Sequence, residues 1–166
     1  KYIIVLASSI SALINLGLNM VIIMIFLFIN GVELSWSALI SPLYILEIFV
    51  FGLGLAFILS TLYVKFRDIN FIWEIILQGL FYASIVLYPV SMILASSQKA
   101  AGILLLNPVS QAIQDVRHTL ISNQYDTLTS VVNGWANIIP LTIVLITLLI
   151  GAWYFRKQSP KFAEDI

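Results

Sequence analysis

LYVKFRDINFIW, residues 62–73, is the stretch on which the fold turns. Lys65, Arg67 and Asp68 form a charged island between two long apolar runs. The runs on either side are uncharged over residues 48–64 and 75–98, and two more uncharged runs cover residues 2–32 and 127–155. About 20 apolar residues cross the hydrocarbon core of a bilayer as a helix. The island therefore reads as a surface turn between two membrane spans.

Composition agrees. Only 10% of the 166 residues are charged and 61% are hydrophobic, whereas a soluble domain carries about 25% charged residues. Such a chain cannot cover a water-facing surface. Lys and Arg balance Asp and Glu at eight each, which excludes the basic stripe of a nucleic-acid binder. Cysteine is absent and His118 is the single histidine, so no disulfide framework or zinc site is expected. A signal peptide would be one short apolar region followed by a polar chain, and the four apolar runs do not fit that. The chain opens at Lys1 and enters an apolar run at once, which reads as the C-terminal portion of a longer membrane protein.

The reading is an all-α polytopic membrane protein with four transmembrane helices, at about residues 2–29, 42–64, 71–88 and 137–155. In the first, Ser8, Ser11 and Asn15 share one helical face, suited either to helix packing or to lining a polar path. Asn30-Gly31 marks a turn, and Glu33 and Trp36 suit an interface. Ser41 and Pro42 read as cap and first residue of the second span. Within it, the four-residue spacing of Gly52, Ala56 and Ser60 predicts a close packing face. FGLGLAF, residues 51–57, lacks the lysine of a phosphate loop. Pro89 predicts that the third helix ends or kinks at Tyr88.

Residues 89–121 read differently. Val90–Ala95 and Ala100–Leu106 are too short to cross and are expected as re-entrant or interfacial helices. Asn107 caps and Pro108 opens an amphipathic helix. Its apolar stripe is Val109, Ile113, Val116 and Leu120, with Asp115, Arg117 and His118 on the other faces. Basic residues accumulate on the cytoplasmic side. Alternating spans put Lys1, Lys65, Arg67, Arg156, Lys157 and Lys161 on one side, six of the eight basic residues. Both chain ends and the island are expected to be cytoplasmic.

Four stretches in this order resemble the permease subunits of ABC-2 type exporters for O-antigen, teichoic acid and capsular polysaccharides. They are GLGLAFILSTLYVKFRDI (52–69), LFYASIVLYPVSMI (80–93), LLNPVSQAIQDVRHTLI (105–121) and YFRKQSPKFAEDI (154–166). One departure is that proline appears only at Tyr88-Pro89, where the family has Ser/Thr-Pro before a second aromatic. The resemblance implies a six-span permease of which this chain supplies the last four spans, in a bacterial cell membrane. It implies a second permease copy, a lipid-linked polysaccharide substrate, and ATPase subunits that hold the ATP and Mg, with no cofactor on this chain. Pro89, Asn107, Pro108, Asp115 and Arg117 would then lie in re-entrant helices at an outer gate.

No catalytic constellation is present. Asp115 and His118 lie three apart on one helix, without a nucleophile motif, and the absent P-loop puts ATP hydrolysis on a partner. Lys65, Arg67 and Asp68 serve either to orient the helix end, to contact an ATPase, or to brace the pore entrance. Tyr44, Phe51, Tyr63, Trp73, Tyr82 and Tyr88 are candidates for a path along which sugar rings slide, or are ordinary interface aromatics. Glu47 is either a gate or substrate-charge group or a carboxylate in headgroup water. Alternatives are an ABC-2 permease for a small molecule or drug, a non-transport scaffold or assembly subunit, and a membrane enzyme acting on lipid-linked sugars.

Overall fold

A computed structural model describes residues 2–32, 35–66, 68–132 and 134–159. Among the described residues, three helical stretches are long and apolar enough to cross a membrane. The first is α1 (Tyr2–Ile29). The second is α2 (Ser41–Lys65), entered directly from a 3-10 turn at Trp36–Ile40. The third is α8 (Ile138–Gln158), entered from a 3-10 turn at Gly134–Asn137. Between α2 and α8 lie α3 (Ile69–Ala83), α4 (Val90–Ser96), α5 (Gln98–Leu105), α6 (Pro108–Leu120) and α7 (Leu128–Val131).

The axis of the fold is the crossing of α2 and α8. A Cβ on Gly54 would stand 2.8 Å from the Leu148 nitrogen, and one on Gly151 would collide with the Gly54 carbonyl oxygen. Only hydrogen fits at either position, so the two backbones touch. Phe57 and Phe155 meet further along, their rings tilted by 56° with centroids 5.4 Å apart. Gly54 meets Leu148 and Gly151 while Phe57 meets Phe155, so residue numbers climb in the same direction along both helices and α2 and α8 run parallel. Lys65 therefore ends at the same end of the bundle as Arg156 and Lys157. Lipid gives apolar helices no drive to associate, and small residues that admit close backbone approach supply dispersion contact instead.

That contact corrects the expected packing face. Nothing lies within 4 Å of a Cβ on Gly52, and Gly52 and Ala56 instead border open grooves on α2. The four-residue rule selected a valid motif but the wrong phase, because Gly54 is the position that meets α8. The polar stripe of α1, Ser8, Ser11 and Asn15, is exposed. Ser11 is exposed and Ser8 borders the α1–α2 groove, each donating to its own helix, to Ala7 O and Val5 O. The residues turned toward α2 are Val5, Ser9, Leu13, Leu16 and Met20. Serine hydroxyls that satisfy themselves within the helix need no neighbour.

The third helix is shorter than expected. It ends at Ala83, not Tyr88, and its 15 residues rise about 22 Å against a hydrocarbon core of about 30 Å. Pro89 is not what stops it. Ile85 sits at φ 54°, a left-handed conformation that a β-branched residue rarely takes. The freed carbonyls of residues 83, 85 and 86 are taken by side chains of α6. Ser41 is a further correction. It is the first residue of α2 rather than its cap, and its hydroxyl donates to Ala38 O at 2.8 Å.

Helices α4, α5 and α7 bury one another. Ile85, Val90, Ala101, Leu105, Leu128 and Val131 form a compact apolar cluster. Gln98 Nε2 ties α5 to Val131 O at 3.1 Å. The start of α6 is as read: Asn107 Oδ1 accepts from Val109 N at 3.1 Å, with Pro108 next. Asn107→Ala should lower thermal stability by about 1 kcal/mol through loss of that cap. A serine there should restore most of it, as read by thermal unfolding in detergent.

Candidate functional site

Helix α6 carries the chemistry because its polar side faces inward. Ser110 and Gln114 are almost completely buried and Gln111 is 9% exposed, whereas Val109, Ile113 and Val116 are only half-buried. Of the apolar stripe only Leu120 is buried. In a bilayer protein an apolar face has lipid as an acceptable neighbour, so polar groups are what protein must enclose.

One part of this polar side is a clamp. Arg117 donates to Ile85 O and Val86 O at 3.2 Å each and to Gln114 Oε1 at 3.1 Å. Ser110 Oγ donates to Ala83 O at 3.2 Å. Gln114 Nε2 in turn reaches Asp126 O at 3.4 Å. A cation at the C-terminal end of α3 also complements the helix dipole. The non-helical chain after α3 thus has its carbonyls satisfied, which irregular backbone at membrane depth requires. Pro89, Gln114, Tyr125 and Asp126 line a cavity of about 290 Å³ beside the clamp.

The other part faces α2 and the start of α8. Tyr44 and Glu47, three apart in the first two turns of α2, share its face toward α6. Asp115 acts electrostatically on both. Gln111 Nε2 donates to Asp115 Oδ2 at 2.6 Å. Tyr44, Gln111, Asp115, His118, Thr127 and Asn137 border a cavity of about 380 Å³. Burial pushes the Asp115 carboxyl above its ordinary range, opposed by the Gln111 hydrogen bond and by His118. His118 Nδ1 lies 2.8 Å from Tyr125 O. Glu47 Oε1, Gln111 Oε1 and Asn137 Oδ1 are buried acceptors that no donor among the described residues reaches. Gln111 and Asn137 were missed from sequence; a glutamine four residues before a buried aspartate was the available signal.

The remaining candidates are scattered. Phe51 and Trp73 line an apolar groove of about 510 Å³ between α2 and α3, with Leu55, Leu77 and Phe81. Tyr63 is exposed near the end of α2. Tyr82 is exposed and its carbonyl accepts from the Tyr88 hydroxyl at 2.7 Å. The six aromatics therefore do not line a single path within this chain. At the island, α2 ends at Lys65, whose ammonium lies 5.4 Å from the Phe66 ring centroid, and Asp68 immediately precedes α3. A cation ending one helix and an anion starting the next both suit the helix dipoles. Arg67 lies outside the described residues, as do Lys1, Glu33 and residues 160–166 with Lys161. Among the described residues no group of three or more His, Cys, Asp or Glu is placed to hold a metal.

No family model matches the chain. It is 28% identical over 145 residues to the O-antigen export system permease protein RfbA of Klebsiella pneumoniae, covering 86% of this chain and 52% of that protein. A second protein of that name and organism is 28% identical over 148 residues, with the same shares. The chain spans about half the length of the curated relatives it matches. It is a multi-helix membrane protein with distant homology to O-antigen export permeases, in keeping with the ABC-2 resemblance.

Proposed function

We propose that this chain forms part of the permease of an exporter that moves a lipid-linked polysaccharide out of the cytoplasm, driven by ATP hydrolysed on a separate subunit. The observation that carries this reading is the similarity to O-antigen export permeases along 86% of the chain. In this reading α3 is the fourth crossing, short in helix but extended by the clamped residues that follow it. Helices α4 to α6 are the re-entrant segment at the outer mouth, and a second permease copy completes the conduit. Lys65, Arg67 and Asp68 face the cytoplasm together with the end of α8, where an ATPase would act. The parallel course of α2 and α8 supports one side for these basic ends, and the excess of basic residues there supports the cytoplasmic one.

The test is export in cells lacking the native permease, with the partner ATPase present. The wild-type protein should restore polymer at the cell surface. Arg67→Ala should leave membrane insertion intact and reduce export about tenfold or uncouple ATPase activity from substrate, the scale of a mispositioned coupling element. Full export with normally coupled ATPase activity would overturn the coupling role. Failure of the wild-type protein to export any glycan would overturn the proposed function itself.

A further inference from the structure

We propose that the cavity between the start of α2, the inner face of α6 and the start of α8 binds one neutral sugar residue. Gln111, Asp115 and Asn137 accept hydrogen bonds from its ring hydroxyls, and Tyr44 and Leu128 supply apolar lining for its C–H face.

The cavity has acceptors to spare and few free donors. Gln111 and Asn137 border it, and Gln111 Oε1 and Asn137 Oδ1 are buried without a donor among the described residues. Gln111 is nine-tenths buried, and buried polar groups are satisfied in nearly every native structure. Most donors on the wall are already committed. Gln111 Nε2 donates to Asp115 at 2.6 Å. The Thr119 hydroxyl donates to carbonyls of its own helix, at Asp115 and Val116. Thr127 and Thr129 spend one hydroxyl hydrogen on each other at 2.6 Å. His118 Nδ1 lies 2.8 Å from the Tyr125 carbonyl, which can only accept. A ligand for this wall therefore brings donors of its own.

The acceptors stand apart rather than around one centre. Gln111 and Asp115 are one turn apart on α6, and Asn137 closes the 3-10 turn before α8. A metal ion needs all its oxygens within about 2.6 Å of itself, whereas a sugar ring carries hydroxyl donors around its rim and serves acceptors that are spread out. Asp115 is the one carboxylate in the lining. A phosphate or a uronic acid would add acceptors and a second negative charge beside it, so a neutral ring fits. The volume, about 380 Å³, is within the range of about 300–1,000 Å³ for small-molecule sites. Leu128 and Tyr44 line part of the wall, an apolar surface that suits the C–H face of a pyranose and that water alone does not use. Thr129, also in the lining, is exposed, so the cavity reaches the surface there. The site lies at the end of the bundle away from the island. That the sugar is a unit of an exported polymer rests on the export reading; the binding of the sugar does not.

The experiment uses the full-length permease in nanodiscs, titrated with the methyl pyranosides of glucose, galactose and mannose and with the matching uronic acids. Saturation-transfer NMR and thermal unfolding are read together. At least one neutral glycoside should bind, one per chain, with a Kd of about 10⁻³ M, the scale for a ligand of about a dozen non-hydrogen atoms, and raise Tm saturably. Its uronic acid should bind about tenfold more weakly. Asn137 Oδ1 has no partner and its side chain caps nothing, so Asn137→Ala should keep the unliganded Tm and weaken binding about five- to tenfold, the worth of one hydrogen bond. Gln111→Leu should weaken it at least as much. Asp126→Asn, at the neighbouring cavity, should leave it unchanged. No saturable binding of any of the three neutral glycosides at about 100 mM, a hundredfold above the expected Kd, would overturn the proposal. So would equal binding of the uronic acid, or wild-type affinity in both Asn137→Ala and Gln111→Leu. Unchanged export by an Asn137→Ala protein with weakened binding would overturn the exported polymer as the source of the sugar. Binding is read without export, so its failure leaves the export reading standing, and failed export leaves the sugar site standing.

Discussion

Leucine in place of Gly151 is expected to force α2 and α8 apart and to cost about 3 kcal/mol or more, the upper end of overpacking penalties. The atoms in the way are backbone. The position a Cβ would take collides with the Gly54 carbonyl oxygen, and on the facing helix Leu148 N and Cα stand 2.8 and 2.9 Å from a Cβ on Gly54. No rotamer change relieves a clash with main chain, so the helices must separate. Separation would also open the Phe57–Phe155 contact one turn along. Gly54→Leu should behave alike, while Gly52→Ala, with open space at its Cβ, should be neutral or up to about 1 kcal/mol stabilising through helix propensity. Thermal unfolding in detergent and the yield of monodisperse protein measure all three. A Gly151→Leu protein that unfolds at the wild-type temperature would show that the crossing is not the axis of the bundle.

Arg117→Ala should be the other severe change. It strands Ile85 O, Val86 O and Gln114 Oε1, and hydrogen bonds from a charged group are worth about 1.5–3 kcal/mol each. Because these bonds share one side chain, the expected loss is about 3–5 kcal/mol rather than a sum. Ile85 adds to the effect, since a buried β-branched residue at φ 54° persists only where its surroundings hold it. Arg117→Lys should recover less than half, because an ammonium lacks the guanidinium fork that reaches several acceptors. Hydrogen exchange separates this from general unfolding: protection should fall first in residues 84–97 while α8 stays protected. Unchanged exchange there in the alanine variant would remove the clamp from the account.

These two sites mark the boundary of what sequence patterns carry. The spans at α1, α2 and α8 were legible because a long uncharged run has one stable form in lipid, the internally hydrogen-bonded helix. Asn107-Pro108 was legible because cap and first-turn preferences depend only on local backbone. Gly54 was not singled out, because Gly52, two residues earlier, satisfies the same small-residue spacing. The burial of Gln111 and Gln114 was not legible, because which side of an amphipathic helix the protein covers depends on neighbours distant in sequence. The end of α3 was put at the proline, whereas the chain leaves the helix five residues earlier, where α6 can receive its carbonyls.

Local chemistry by itself determined that this is a membrane-embedded helical protein, where its long helices run, and that short helices intervene before the last span. It also determined the unequal distribution of basic residues, because each of these follows from the cost of charge and bare peptide in hydrocarbon. Tertiary structure alone decided which glycine touches which, that α6 turns its polar side inward, and that Tyr44, Asp115 and Asn137 border one cavity. Those outcomes depend on neighbours distant in sequence. Lipid is indifferent to which apolar face it meets, so the polar groups and the closest backbone approaches select the arrangement.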